Sequence, residues 1–342
     1  MQVGDVKRLS LGEFPTPLQE LKNLSDYLEG PRIFIKRDDL DGLGAGGNKL
    51  RKLEYALADA KKVGATVIIT TGAVQTNHGR LTLASANKLG LKTVLILTGQ
   101  EPEKFTGNIL LDRVMGVSGI HYVGAKNPEE KKQAVERKVG EVVEDLESEG
   151  EKPYYIPVGC DPLHGALGYS NAVLEIVNQL NEGSLAADYL VTANGTASTQ
   201  SGLVLGNRLY THDELKVIGI SVLPRSVDPT HQVADQANRA AQYLDLSTSF
   251  SSEDVTVLTD YIGKDYAVPT KAMKEAVELV ARKEGLILDP VYTGKAMTGL
   301  IDLVRKKKFG KDDIVVFIHT GGLPGLFASG QADFFQQGRK DL

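Results

Sequence analysis

Short apolar, β-branched runs recur along the chain at 32–36, 66–70, 93–97, 120–123, 154–157, 189–192, 217–221 and 314–319. Each predicts a strand. Between them, Leu50, Leu53, Leu57 and Ala60 follow helical spacing, as do Ala276, Leu279 and Val280. Strands alternating with helices predict an α/β fold: open, twisted, mostly parallel sheets flanked by helices on both faces. At 342 residues the chain exceeds the size at which one core keeps growing, so two lobes or one large domain are expected. No repeat, low-complexity segment or Pro/Ser-rich linker divides it, so two lobes would require the chain to cross between them more than once. In such folds ligands sit beyond the carboxyl ends of the strands, which directs attention to the loops there.

Composition narrows the partners. Hydrophobic residues at 42% and charged residues at 24% are ordinary for a globular protein, and the net charge of −5 argues against nucleic acid or anionic membrane. No apolar run approaches the roughly 20 residues that span a bilayer, and the first residues lack a signal-like apolar core. The one cysteine, Cys160, excludes intrachain disulfides, and no Cys-based metal cluster is expected. A cytoplasmic protein is the expectation.

The loop after the first long strand reads Asp41-Gly42-Leu43-Gly44-Ala45-Gly46-Gly47-Asn48-Lys49 and opens a helix. It contains a GxGxxG match at Gly42, Gly44 and Gly47. A dinucleotide site wants an acid about 20 residues on, at the end of the next strand, but here that strand runs into Thr71-Gly72. A phosphate loop fails because Asn48 separates Gly47 from Lys49, and Leu50 follows. What remains is that the glycines let backbone approach a bulky ligand and Lys49 reacts. An enclosed lysine loses its charge, and its neutral amine attacks aldehydes. Taken alone, Lys49 reads equally as a solvated lysine in a first helical turn.

Further loops add chemistry. Thr71-Gly72-Ala73-Val74-Gln75-Thr76-Asn77-His78 ends at a helix start, where amides bind carboxylates and phosphates; Thr76 alone would suffice as a plain cap. Ala193-Asn194-Gly195-Thr196-Ala197-Ser198-Thr199-Gln200-Ser201-Gly202 reads as a phosphate cradle or as a flexible turn. Asp289-Pro290-Val291-Tyr292-Thr293-Gly294-Lys295, Tyr266 and His319-Thr320-Gly321-Gly322 place polar or aromatic groups at element boundaries.

Together with Pro15-Thr16-Pro17-Leu18, Ile35-Lys36-Arg37-Asp38-Asp39, Leu50-Arg51-Lys52 and Gly165-Ala166-Leu167-Gly168-Tyr169, these blocks resemble the D-cysteine desulfhydrase and 1-aminocyclopropane-1-carboxylate (ACC) deaminase family. That family depends on pyridoxal 5′-phosphate (PLP) and has the tryptophan-synthase-β-like fold. The resemblance covers nearly the whole chain. It implies a cleft between two lobes, the large one combining 1–50 with 165–342 and the small one 51–164. It implies that Lys49 carries the cofactor as a Schiff base and that Lys52 reaches its phosphate. Gly195, Thr196, Ala197, Ser198 and Thr199 would cradle that phosphate, Asn77 would meet the 3′-oxygen, and Thr320 the pyridine nitrogen. Thr76, Asn77 and His78 would hold the carboxylate of a small amino-acid substrate, with Tyr266 and Tyr292 around the reacting atoms. Catalysis would fall to Lys49, Thr76 and Tyr292, in a homodimer.

A hydroxyl at the pyridine nitrogen limits carbanion delocalisation, which favours loss of a β-substituent over transamination. Family members that act on ACC carry Glu where this chain has Thr293. The expectation is therefore α,β-elimination, with D-cysteine giving pyruvate, ammonia and sulfide. L-cysteate sulfo-lyase shares the motif layout, so sulfite is an alternative leaving group; ACC deamination is disfavoured. Three positions depart from the family: Thr76 replaces Ser, Gly79 replaces Cys, and the usual GSGGT-like loop reads Asn194-Gly195-Thr196-Ala197-Ser198-Thr199. The Thr76 change leaves room for a PLP-binding protein with little turnover.

Overall fold

The computed structural model describes residues 2–124, 127–224 and 228–336. Along the first half run β1 (Leu18–Glu20), α1 (Lys22–Leu28), β2 (Arg32–Arg37), α2 (Lys49–Lys62), β3 (Val67–Ala73) and α3 (Asn77–Lys88). There follow β4 (Lys92–Thr98), α4 (Gly107–Val114), β5 (Gly119–Val123), α5 (Pro128–Ser148), β6 (Pro153–Ile156) and α6 (Pro162–Glu182). The second half continues with β7 (Tyr189–Asn194), α7 (Ser198–Tyr210), β8 (Lys216–Ser221), α8 (Pro229–Tyr243) and β9 (Thr256–Leu258). It ends with α9 (Lys271–Glu284), α10 (Thr293–Arg305), β10 (Ile314–His319) and a short α11 (Gln331–Gln336).

The strands form two sheets. One has six strands in the order β1-β2-β10-β7-β8-β9; the other has four, in the order β5-β4-β3-β6. Apart from the antiparallel β1–β2 edge, every pairing of these strands among the described residues is parallel. The predicted class holds. Parallel strands need crossovers, and helices supply them on both faces.

Side-chain alternation explains the layering. In β10 Val316 and Ile318 face α6, α7 and α8, joining Leu167, Val173, Leu203 and Ala237 in one core. Val315 and Phe317, on the other face, pack with Leu24, Val277, Val280 and Leu300 from α1, α9 and α10. The four-stranded sheet repeats the arrangement: Ile68 and Ile156 pack under α2 and α3, while Val67, Ile69, Val94 and Ile96 pack on α5. Each buried Leu, Ile or Val side chain contributes about 1.5–3 kcal/mol, so these faces fix which side each strand shows.

Two differences from the sequence expectation bear on the site. Residues 71–73, expected as loop, continue β3 and pair with Ile96, Leu97 and Thr98 of β4. The strand ladder uses backbone groups, so small and hydroxylated side chains do not end it. Two edge strands, β1 and β9, were not anticipated.

Behind α2 lies a buried charge network. Arg51 donates from Nε and Nη2 to Asp38 (2.8 Å each), and from Nη1 and Nη2 to Glu175 (2.8 and 2.9 Å). Lys36 Nζ pairs with Glu175 at 2.9 Å, and the Tyr169 hydroxyl donates to Asp38 at 2.6 Å. Against the cost of burial, the Arg51 charge and its hydrogen bonds hold Asp38 below the usual carboxylate range. The network ties α2 to β2 and α6.

Candidate active site

Lys49 and Lys52 stand three apart at the start of α2, on one helical face. The preceding loop is held against the end of β10: Gly47 bridges Gly321, and the Asn48 amide donates to the Thr320 carbonyl at 3.1 Å. Gly46, at φ +67°, could carry no side chain, because a Cβ there would lie 1.9 Å from the Asp39 carbonyl oxygen. The sequence suggested that the glycines admit a ligand; at Gly46 the close approach is to the protein's own backbone. Lys52 is fully buried and donates to Ser198 Oγ (2.8 Å) and Thr199 Oγ1 (2.9 Å). Burial lowers the Lys49 amine to about 8, against opposing contributions from Cys160 and Lys52. Burial, reinforced by the Lys49 charge, pushes Lys52 well below the lysine range. Among the described residues neither amine has a carboxylate partner. A buried and a half-buried amine without a counter-ion call for an anion.

The start of α7 faces them. No side chain caps this helix, and Ala197 precedes it in the left-handed region at φ 69°. Its first amides, with the hydroxyls of Thr196, Ser198 and Thr199, make a donor-rich cradle beside Lys52. Asn48 Nδ2 donates to Thr199 Oγ1 at 3.0 Å, tying the Lys49 loop to the cradle. Gly159 and Gly165 close its flanks: added Cβ atoms there would lie 2.7 Å from Thr196 Oγ1 and 2.5 Å from Ser198 Cβ. A phosphate monoester fits this donor set, and Lys49 beside it supplies the amine that an aldehyde would meet.

At the start of α3, Thr76 is the N-cap; its Oγ1 accepts from the Gly79 amide at 3.1 Å. Asn77 is half-buried. His78 is buried, and neither ring nitrogen has a hydrogen-bonding partner of good geometry among the described residues. Burial and the charges of Lys49 and Lys52, opposed by the Pro157 carbonyl, hold His78 neutral. An orphaned imidazole close to both amines points to a ligand group as its partner.

Asp289 accounts for the local geometry around Tyr292. Its carboxylate accepts from the amides of Val291, Tyr292 and Thr293 (2.8, 2.9 and 2.7 Å) and from the Thr293 hydroxyl (2.7 Å), capping α10. Thr293 is thereby fully buried and engaged. The hydroxyls of Tyr292 and Tyr266 share a 2.5 Å hydrogen bond. Burial raises Tyr292 well above the ordinary phenol range and raises Tyr266 too, so both stay protonated at neutral pH. Lys295 clips the Tyr266 loop to α10 by donating to the carbonyls of Ile262 (2.7 Å) and Asp265 (2.9 Å). Tyr292 also borders the cradle: a Cβ on Gly195 would lie 3.5 Å from its ring.

The predicted residues therefore form one constellation. Lys52, beside Lys49, meets Ser198 and Thr199; Gly195 meets Tyr292, which meets Tyr266; Thr320 lies against Asn48; and His78 senses both lysine charges, with Thr76 and Asn77 beside it. The sequence did not single out Asn48, Asp289 and Lys295 as working residues, although all three lie inside the quoted motifs. Nor did it find Arg80 or Asn108, discussed below.

Known proteins share this sequence and fold. The family described as pyridoxal-phosphate dependent enzyme matches residues 9–321. A D-cysteine desulfhydrase of Yersinia enterocolitica is 41% identical over 333 residues, covering 96% of this chain and 97% of that protein. A D-cysteine desulfhydrase of Klebsiella pneumoniae is 42% identical over 327 residues, covering 94% and 95%. The crystal structure of an ACC deaminase homologue superposes with a TM-score of 0.86 at 39% identity, over 98% of this chain and 97% of that one. Diaminopropionate ammonia lyase of Escherichia coli, at 17% identity and a TM-score of 0.65 over 96% of this chain and 87% of that one, shares the fold. The chain belongs to the pyridoxal-phosphate dependent enzyme family.

Proposed function

We propose that this enzyme eliminates the β-substituent of D-cysteine: D-cysteine and water give pyruvate, ammonia and hydrogen sulfide. What carries the substrate is the 41–42% identity, along nearly the whole chain, to two proteins named D-cysteine desulfhydrase. Thr293 supports it, because its hydroxyl is consumed by Asp289 and offers the ligand no carboxylate.

Bound PLP supplies an electron sink conjugated to the substrate α-carbon. Lys49 would hold the cofactor, and its Nζ, when neutral, is placed to take the substrate α-proton. Lys52 would meet the phosphate, with Ser198 and Thr199 donating beside it and Gly195, Thr196 and Ala197 completing the cradle. Thr320 would offer a neutral hydroxyl to the pyridine nitrogen. Thr76, Asn77 and His78 hold the substrate carboxylate through hydrogen bonds, the imidazole being neutral. The protonated Tyr266–Tyr292 pair donates a proton to the departing sulfur.

Residues 1–50 with 165–342 form the large lobe in this proposal, and 51–164 the small one; membership of the two sheets supports the division. A homodimer and a cytoplasmic location belong to the same proposal. Among the described residues no helix is long and apolar enough to cross a membrane.

The test is visible absorbance together with product release from D-cysteine, β-chloro-D-alanine, L-cysteate and ACC. A visible cofactor band lost in Lys49→Ala, with pyruvate from the first two compounds, is expected. Production of 2-oxobutyrate from ACC with no pyruvate from the others, or pyruvate from L-cysteate alone, would overturn the substrate assignment.

A further inference from the structure

Asn108, on α4, spends its whole side chain on the segment that carries Asn77. Its Nδ2 donates to the Gln75 carbonyl (3.1 Å) and to Asn77 Oδ1 (2.9 Å), while its Oδ1 accepts from Arg80 Nε at 2.7 Å. Its own amide donates to Gln75 Oε1 at 2.8 Å, and Gln75 Nε2 returns a bond to the Thr106 carbonyl at 2.9 Å. Asn108 and Arg80 are fully buried. Arg80 also donates from Nη2 to the Gly46 carbonyl (3.1 Å), in the loop that leads to Lys49.

Proton direction in this chain is forced. A guanidinium only donates and a backbone carbonyl only accepts. Arg80 therefore fixes the oxygen end of the Asn108 amide, and the Gln75 carbonyl independently fixes its nitrogen end. The Asn77 atom facing Asn108 Nδ2 must then be its oxygen. Asn77 Nδ2 is left turned away from Asn108, half-exposed, and without a partner among the described residues.

We infer that Arg80 and Asn108 are positioning residues that lock Asn77 with its N–H groups toward the ligand, so that Asn77 serves only as a donor. The ligand atom it meets must be an oxygen acceptor, and an anionic one is favoured. The arginine charge at the far end polarises the chain Arg80–Asn108–Asn77 and strengthens that donor. Resting on the cofactor assignment above, the inference identifies the acceptor as the ring oxygen of PLP. An asparagine free to flip could present its own oxygen, which would repel the same atom.

Asn108→Asp tests this directly. One carboxylate oxygen still accepts from Arg80, but the other now faces Asn77 Oδ1. Asn77 is driven to flip, turning its oxygen toward the ligand. PLP affinity of the apoprotein, read by fluorescence titration, should weaken about tenfold or more, the scale of one charge-assisted hydrogen bond. The pH midpoint of the visible cofactor band should rise, because the ring oxygen has lost its donor. Asn108→Ala, which frees Asn77 without inverting it, should fall between Asn108→Asp and the parent. In an Asn77→Ala background Asn108→Asp should change neither readout further. Unchanged affinity and midpoint in Asn108→Asp, or equal shifts with and without Asn77, would overturn the inference while leaving the cofactor assignment intact. A parent protein with no visible band would overturn both.

Discussion

Thr76 and Gly79, the two departures at the start of α3, occupy each other's space. A Cβ added at Gly79 would lie 2.5 Å from Thr76 Cγ2, where carbon atoms prefer about 3.5–4.0 Å. Gly79→Ala must therefore displace the methyl by roughly 1 Å, an overpacking cost of about 1–3 kcal/mol. It regains about 1 kcal/mol of helix propensity. Rotating Thr76 aside instead takes Oγ1 from the Gly79 amide it now caps at 3.1 Å, which itself costs about 1 kcal/mol, so the penalty does not fall below the lower end of that range. Thr76→Ser alone deletes one buried methyl, costing about 0.5–1.5 kcal/mol, and keeps the cap. In the double variant the overlap vanishes while the helix gain remains. We therefore expect a coupling of about 1–3 kcal/mol in favour of the pair. Thermal midpoints of the four apoproteins measure it, and kcat/KM with D-cysteine reports whether the hydroxyl stays aimed at the carboxylate site. Additivity within about 0.5 kcal/mol would refute the reasoning, because the methyl would then not fill the space beside Gly79.

Further expectations concern the lysines, the charge network and the tyrosines. With the Lys49 amine at about 8, the rate of PLP capture by apoprotein should climb steeply from pH 6 to 8 and level off above; a flat profile would count against capture by the neutral amine. Arg51→Met strands Asp38 and should destabilise the fold by about 3–5 kcal/mol. In the parent, the lowered Asp38 pKa gives stability that is present above the unfolded value of about 4 and lost as pH falls through the folded value. In the variant burial raises that pKa, so the penalty appears only where the unfolded carboxyl ionises. The gap in urea midpoint between the two should narrow from pH 7 toward pH 4, and a constant gap would contradict the assignment. Tyr292→Phe should lower kcat on D-cysteine by about 10²-fold while sparing β-chloro-D-alanine, whose chloride departs without a proton; equal losses on both would exclude the acid role.

The long strands were legible because parallel strands buried on both faces are written as continuous apolar runs, as in Ile33 to Ile35 and Ile314 to Ile318. The three-residue edges were not. Gln19, Glu20 and Thr256 are exposed, so β1 and β9 carry no run to detect. In the site, residues of one motif were found together because local geometry brings them together: Lys49 with Lys52, Ser198 with Thr199. Arg80 and Asn108 lie 28 residues apart, on different helices, and only the packing of α3 on α4 makes them a unit. Asp289 was visible as part of a motif, but its task emerged only when four of its hydrogen bonds were found to set the start of α10. The glycine run shows the opposite error: at Gly46 a requirement of the backbone was taken for one of the ligand.

The placement of β10 also governs when the molecule can assemble during synthesis. All four strands of the smaller sheet have left the ribosome once residue 156 has emerged, and they can pair at once. The larger sheet cannot close, because its central strand comes last: β10 lies between β2 and β7, pairing Val315 with both Ile33 and Tyr189. Until residues 314–319 arrive, β2 and β7 each present an unpaired apolar edge, the kind of edge that recruits other chains. A nascent chain or a truncation ending before Ile314 therefore carries two such edges. Such truncations should aggregate where the full chain stays dispersed, and a monodisperse truncation by light scattering would contradict this.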